Sequence, residues 1–172
     1  MPYSMRCKAI SEWYTQLMAE SLGKRCNHTG HIIYYGRTPV VAVGTTDMHA
    51  QTQQHQDGRR NKIVQFLEIL ELERTIEIKK SFEECQLLDK YYGISMDFAL
   101  KIALKSNEEA LAGDNRPSAK YVLPKLNEYY LGHLLYFLML SVAYEGEFAD
   151  VDTYNQPGVE AYKKIMKSKL FI

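Results

Sequence analysis

His49 stands in the run Pro39–Gln56, PVVAVGTTDMHAQTQQHQ, whose residue types read in turn as a short strand, a glycine turn and a capped helix. Val40, Val41, Ala42 and Val43 make the β-branched apolar stretch of a buried strand. Gly44 punctuates it, and Thr45, Thr46 and Asp47 place oxygens where a helix N-cap is wanted. Amides of the first helical turn then face the strand end with partial positive charge, as in an α/β site for an anionic ligand. His49 falls in that turn, where the dipole disfavours an imidazolium and favours a ring nitrogen that accepts a proton. A capping or core histidine is the other reading. Thr45 and Thr46 read as caps, and His55, further along the helix, reads as solvated.

Three more polar groups could do chemistry, two of them where a helix begins or ends. Glu20, in AESLGK, falls at the C-terminal end of a predicted helix, where the dipole opposes a carboxylate charge. Many surface glutamates do the same. Gln156, in NQPG, opens the last helix, so its amide can reach a phosphate or hydroxyl, or can cap. Lys163 shares a helix face with Val159 and Met166, an inward-looking place for a charge. Its neighbours Lys164, Lys167 and Lys169 also fit an ordinary solvated face.

The elements that must position these groups follow from periodicity. Ile10, Trp13, Tyr14, Leu17 and Met18 predict an amphipathic helix over about Met5–Ser21, with Gly23 as its C-cap. Cys26–Tyr35 reads as irregular or a small hairpin. Lys62–Leu70 reads as a second strand, and Leu70–Lys80 is charged and ambiguous. Phe82–Ala112 reads as mostly helical with a break around Gly93, and Lys120–Leu123 as a third strand. Leu126–Tyr144 is apolar nearly all round and so reads as a buried helix. Pro157 at a tolerated first-turn position starts a last helix running to about Lys169. Strands alternating with helices predict an α/β layer fold with a mainly parallel sheet.

Composition excludes several classes. At 172 residues the chain suits one domain with a core of its own. Lysine plus arginine equals aspartate plus glutamate at 21 each, so no net field recommends nucleic acid or an acidic membrane. The tyrosines are not interleaved with a basic patch. The apolar segment Leu131–Tyr144 is shorter than the roughly 20 residues of a membrane span. Cys7, Cys26 and Cys85, an odd number without a signal-like N-terminus, suit reduced thiols in a cytoplasm. Cys26, His28 and His31 lack the spacing of a zinc module, and no Walker or dinucleotide glycine motif occurs.

Four motifs in register carry a resemblance. AESLGK at Ala19–Lys24, GTTDMH at Gly44–His49, GDNRPS at Gly113–Ser118 and NQPGVEAYKK at Asn155–Lys164 resemble the C-terminal half of the glucose-6-phosphate isomerase (phosphoglucose isomerase) family. That family has two sugar-isomerase (SIS) α/β domains in a chain more than twice this long. Its phosphate-gripping loop and an enediolate-steadying arginine belong to the first domain. The resemblance implies that 1–172 is a single C-terminal SIS-type domain, a three-layer α/β sandwich with a mainly parallel sheet and a C-terminal helical tail from about 126.

The activity so implied is reversible isomerisation of glucose 6-phosphate and fructose 6-phosphate through an enediol, with no metal or organic cofactor. Glu20 matches the family's proton-shuttling glutamate, His49 its ring-opening histidine, and Lys163 the lysine near the ring oxygen. Gln156 matches a substrate-binding glutamine, and Thr45 and Thr46 are candidates to bind the sugar. The histidine of the family reaches the neighbouring subunit's site, which implies a homodimer, alongside the N-terminal half as a partner. Leu22 and Met48 depart from the family pattern, where a small polar residue and a glutamine are common. A different expectation is a sugar-phosphate-binding or structural domain without turnover when isolated from that half.

Overall fold

Two eight-residue strands, β3 (Val64–Glu71) and β4 (Ser118–Lys125), pair in parallel from Val64↔Ser118 to Glu71↔Lys125 in the computed structural model, which describes residues 1–80 and 86–170. Before them come α1 (Lys8–Leu22), β1 (Lys24–Cys26), β2 (Ile32–Tyr35) and α2 (Met48–Asp57). α3 (Met96–Gly113) joins β3 to β4, and α4 (Glu128–Phe148) and α5 (Pro157–Leu170) follow. Short 3-10 turns occupy Met5–Cys7 and Gln86–Tyr91. The α/β class with a parallel sheet, expected from the alternation of strands and helices, is what the chain adopts. Two compact units divide it, one of residues 1–11 and 41–131, the other of 12–40 and 132–172.

The first unit is built on β3. Its run VQFLEILE buries Val64, Phe66, Leu67 and Ile69, so apolar residues serve both faces, as in a strand covered on each side. Met1–Tyr3 lies alongside, with a parallel bridge from Pro2 to Leu67 and a hydrogen bond from Tyr3 N to Leu67 O of 3.0 Å. α3 is capped by the Ser95 hydroxyl, which accepts from Phe98 N. Its positions Leu104, Asn107 and Leu111 share one buried stripe, and Leu104 and Leu111 pack with Tyr3, Val64 and Phe66.

Val40–Val43 is not the strand that its β-branched residues suggest. Ala42 and Val43 are buried, yet the backbone makes no ladder among the described residues. The amide of Val43 donates to the Asp47 carboxylate at 2.7 Å, and only Gly44 N reaches the sheet, at Pro2 O, 2.9 Å. Apolar content earns burial there, while a local side-chain acceptor takes the hydrogen bond that a neighbouring strand would need.

In the second unit β1 and β2 form an antiparallel hairpin, with Lys24 opposite Tyr35. The Asn27 side chain holds the turn, accepting from His31 N at 2.8 Å and Thr29 Oγ1 at 2.9 Å. On α4, Glu145 receives the Tyr35 hydroxyl at 2.9 Å and Arg37 Nε at 2.5 Å, which fixes β2 and the residues after it. α4 corrects a second expectation. Only Leu134, Leu138, Val142 and Gly146 are buried, a line of every fourth residue, while Tyr136, Tyr144 and Phe148 are exposed. An all-round apolar helix states what could be covered, and here one stripe is. The mostly helical stretch expected over Phe82–Ala112 becomes the turn at Gln86–Tyr91 and then α3, with Gly93 between them at φ +78°; Phe82–Cys85 lies outside the described residues. Among the described residues no helix is long and apolar enough to cross a membrane.

Candidate functional site

The second unit holds Glu20, Gln156 and Lys163. Glu20 lies exposed in the last turn of α1, which Gly23 ends by donating its amide to Ala19 O at 3.2 Å. Lys24, the first residue of β1, folds back beneath that helix end and is only 5% exposed. Its ammonium donates to Glu20 O at 3.1 Å and to Asn155 O at 2.6 Å. Burial pushes the Lys24 ammonium below the usual lysine range, while the nearby Asp152 and Glu20 charges act in the opposite direction.

The far end of this link is the segment that opens α5. Asp152 organises it, its carboxylate accepting from Tyr154 N at 2.9 Å and Asn155 Nδ2 at 2.5 Å. Gln156 follows, exposed, and its carbonyl accepts from Val159 N at 3.2 Å. Pro157 then occupies the first helical position, where its missing N–H costs nothing. Along α5 only Val159 and Lys163 are half-buried, so the shared face expected for them is present, whereas Met166 is exposed. Lys163 Nζ donates to Glu160 one turn earlier at 3.1 Å.

His49, Thr45 and Thr46 belong to the first unit. His49 is exposed in the first turn of α2, next to Met48, whose side chain packs on the core around Phe66. That packing gives the apolar Met48 side chain its place beside an exposed histidine. Thr45 and Thr46 are exposed. Thr45 O accepts from Met48 N at 3.1 Å, and Thr46 Oγ1 lies 3.9 Å from Met5 Sδ. Neither threonine side chain nor that of Asp47 caps the helix; the Asp47 carboxylate turns back to Val43 instead. His55 is half-buried, not solvated, and its Nδ1 finds no hydrogen-bond partner among the described residues.

Two buried cations escaped the reading of the sequence. Lys24 is one. The other is Arg116 of GDNRPS, 8% exposed, whose guanidinium donates to Gln56 O and, at 2.8 Å, to Gly58 O. It thereby satisfies carbonyls at the C-terminal end of the helix that starts with Met48 and His49. The available signal was placement: each cation follows a helix-ending or turn-forming glycine closely, where basic side chains reach free carbonyls. Elsewhere in the first unit a cleft of about 380 Å³, lined by Glu68, Phe98, Lys101, Ile102, Glu108 and Lys120 among others, contains none of the expected site residues. Among the described residues no three His, Cys, Asp or Glu side chains gather as metal ligands.

Known proteins resemble this arrangement along the whole chain. Residues 1–170 match the family model for phosphoglucose isomerase. The chain is 37% identical over 164 residues to glucose-6-phosphate isomerase of Carboxydothermus hydrogenoformans, covering 95% of this chain and 35% of that protein. It is 33% identical over 170 residues to the enzyme of the same name from Rubrobacter xylanophilus, covering 99% and 38%. Among solved structures, a hypothetical protein from Thermus thermophilus matches with a TM-score of 0.91 at 32% identity, over 100% of this chain and 40% of that one. A glucose-6-phosphate isomerase from Chlamydia trachomatis shares the fold, with a TM-score of 0.81 at 24% identity, over 98% and 33%. The chain thus spans little more than a third of the length of these curated relatives.

Proposed function

The chain belongs to the phosphoglucose isomerase family, and we propose that it supplies Glu20, His49 and Lys163 to the interconversion of glucose 6-phosphate and fructose 6-phosphate. The sugar ring opens first. His49 takes the proton of the anomeric hydroxyl as the bond from C1 to the ring oxygen breaks. The Lys163 ammonium faces that oxygen as it takes up charge, and a proton returned to it leaves an aldehyde and a free hydroxyl. Glu20 then removes the proton from C2 and returns it to C1 through an enediol, while the oxygen on C1 gains the proton that the oxygen on C2 gives up, so Glu20 ends as the carboxylate it began as. Gln156, Thr45 and Thr46 hold hydroxyl or phosphate oxygens of the sugar.

The observation that supports this reading best is that the helix end carrying Glu20 and the segment opening into Gln156 share one buried donor, Lys24. A reaction at two adjacent carbons needs its base and its substrate-holding groups in fixed relation. The setting is a cytoplasmic SIS domain acting with the N-terminal half of the enzyme and as a homodimer. Its test is a coupled isomerase assay on the chain together with the upstream half. Glu20→Gln is expected to lower turnover by on the order of a hundredfold to ten-thousandfold; undiminished turnover would show that the base lies elsewhere.

A second reading is a sugar-phosphate-binding domain without turnover of its own. Calorimetric titration of the chain alone with glucose 6-phosphate, run beside the coupled assay, separates the two. Binding without turnover supports this second reading, and turnover by the chain alone rejects it.

A further inference from the structure

We propose that Lys24 is a positioning residue that sets the Glu20 end of α1 against the segment leading into Gln156, an inference that rests on the reading of Glu20 as the base. Lys24 Nζ spans a gap between two carbonyls that no backbone amide fills among the described residues, one at Glu20 O, 3.1 Å, and one at Asn155 O, 2.6 Å. The second partner lies 131 residues away in the chain. The link is therefore tertiary and does more than cap a helix.

An ammonium suits the task because it carries three donors in a compact head, so one side chain serves both carbonyls and retains a further donor. At 5% exposure the charge has lost most of its water, a cost that a packing side chain would not incur. The Asp152 and Glu20 carboxylates nearby offset part of it. Asp152 also binds Tyr154 N and Asn155 Nδ2, which holds the Asn155 carbonyl where Lys24 meets it. Losing the ammonium frees the end of α1 and the start of α5 to drift apart, and a shift of about 1 Å between a base and its substrate is worth on the order of a hundredfold in rate.

The experiment compares Lys24→Met, Lys24→Arg, Glu20→Gln and the double variant Lys24→Met/Glu20→Gln in the chain together with the upstream half. Turnover is expected to fall on the order of a hundredfold in K24M, with partial recovery in K24R, which keeps donors at that place. Added to Glu20→Gln, K24M should lower turnover little further, because there is no base left to position. Glu20→Gln crippling the enzyme while K24M leaves turnover intact overturns the positioning role and spares the function. Full additivity of the two substitutions also overturns it, since Lys24 would then act independently of Glu20. Undiminished turnover in Glu20→Gln rejects the reading of Glu20 and this proposal with it. If K24M does not fold, NMR of the unsubstituted protein decides instead. A slowly exchanging Lys24 ammonium with through-bond coupling to the Asn155 carbonyl carbon is expected, and an ammonium exchanging as freely as the surface lysines overturns the proposal.

Discussion

The ring of Tyr3 lies so close over Gly44 that a Cβ at position 44 would stand 2.6 Å from its carbons. The ring has nowhere to retreat. It is 3% exposed, packs at 6.1 Å between centroids on Phe66, and its hydroxyl accepts from Asn107 Nδ2 at 3.1 Å. Gly44 therefore lets the chain turn against the core just before Thr45, Thr46 and His49. Gly44→Ala is expected to cost about 1–3 kcal/mol, the usual range for overpacking, and to disturb the turn that presents His49. Urea denaturation reads the cost. The pair predicts non-additivity as well: with Tyr3→Leu already present, Gly44→Ala should cost markedly less, and equal costs in both backgrounds would remove the steric explanation.

Lys120 on β4 ties two elements of the first unit, with Nζ 3.2 Å from Glu68 on β3 and 2.9 Å from Glu108 on α3. The hydrogen bond to Glu108 raises the Lys120 ammonium above the usual lysine value of 10.5, with Glu68 adding to it against partial burial. A raised lysine contributes stability that is fully present below the unfolded value and is lost as pH climbs through the folded one. The side chain is 28% exposed, so solvent screens part of the attraction. Lys120→Met is expected to cost about 1 kcal/mol at pH 7, and the difference from the unsubstituted protein should shrink above roughly pH 10.5. A pH-independent difference would assign the loss to packing instead.

How much of this was legible beforehand depended on whether the partner of each residue was local. β3 and β4 follow from their own residues, a small hairpin is one of the two readings of Cys26–Tyr35, and Pro157 and Gly23 mark helix ends by local geometry. His49 was likewise placed in the first turn of a helix by the Gly-Thr-Thr-Asp run before it. Val40–Val43 misleads because strand formation needs a neighbour, and the Asp47 carboxylate satisfies Val43 N instead. α4 misleads because an apolar surface does not say which stripe will be covered. Lys24 is only half legible: its place just after Gly23 signals a reach for the Glu20 carbonyl, but a lysine looks solvated until the Asn155 carbonyl at the other end of the chain is known.

His55 provides a test in acid. Burial lowers its proton affinity below the usual 6.5, and the N-terminal amine and Lys62 act in the same direction. A group whose folded value is depressed contributes stability above its unfolded value and loses it as pH falls through the folded one. The unsubstituted protein should therefore lose stability relative to His55→Gln as pH is lowered from about 7.5 to about 5. Paired thermal melts across that window measure it. A gap that stays constant would mean the imidazole titrates as it does in the unfolded chain.

Gly146, in the last turn of α4, belongs to the buried stripe and faces Thr153 in the segment that leads to α5. A Cβ at 146 would overlap the Thr153 Cγ2 methyl, and Thr153 is itself 8% exposed, so it cannot swing into solvent. The backbone is equally constrained, because Gly146 O accepts from Val151 N at 2.9 Å. Gly146→Ala is expected to cost about 1–3 kcal/mol even though alanine is the better helix former by about 1 kcal/mol. The overlap is with one methyl, which points to a specific rescue. Thr153→Ser deletes Cγ2 and keeps the hydroxyl, so Gly146→Ala/Thr153→Ser should recover most of the lost stability in chemical denaturation. If serine at 153 gives no recovery, the close approach of backbone around Val151, rather than the Thr153 methyl, is what requires glycine at 146.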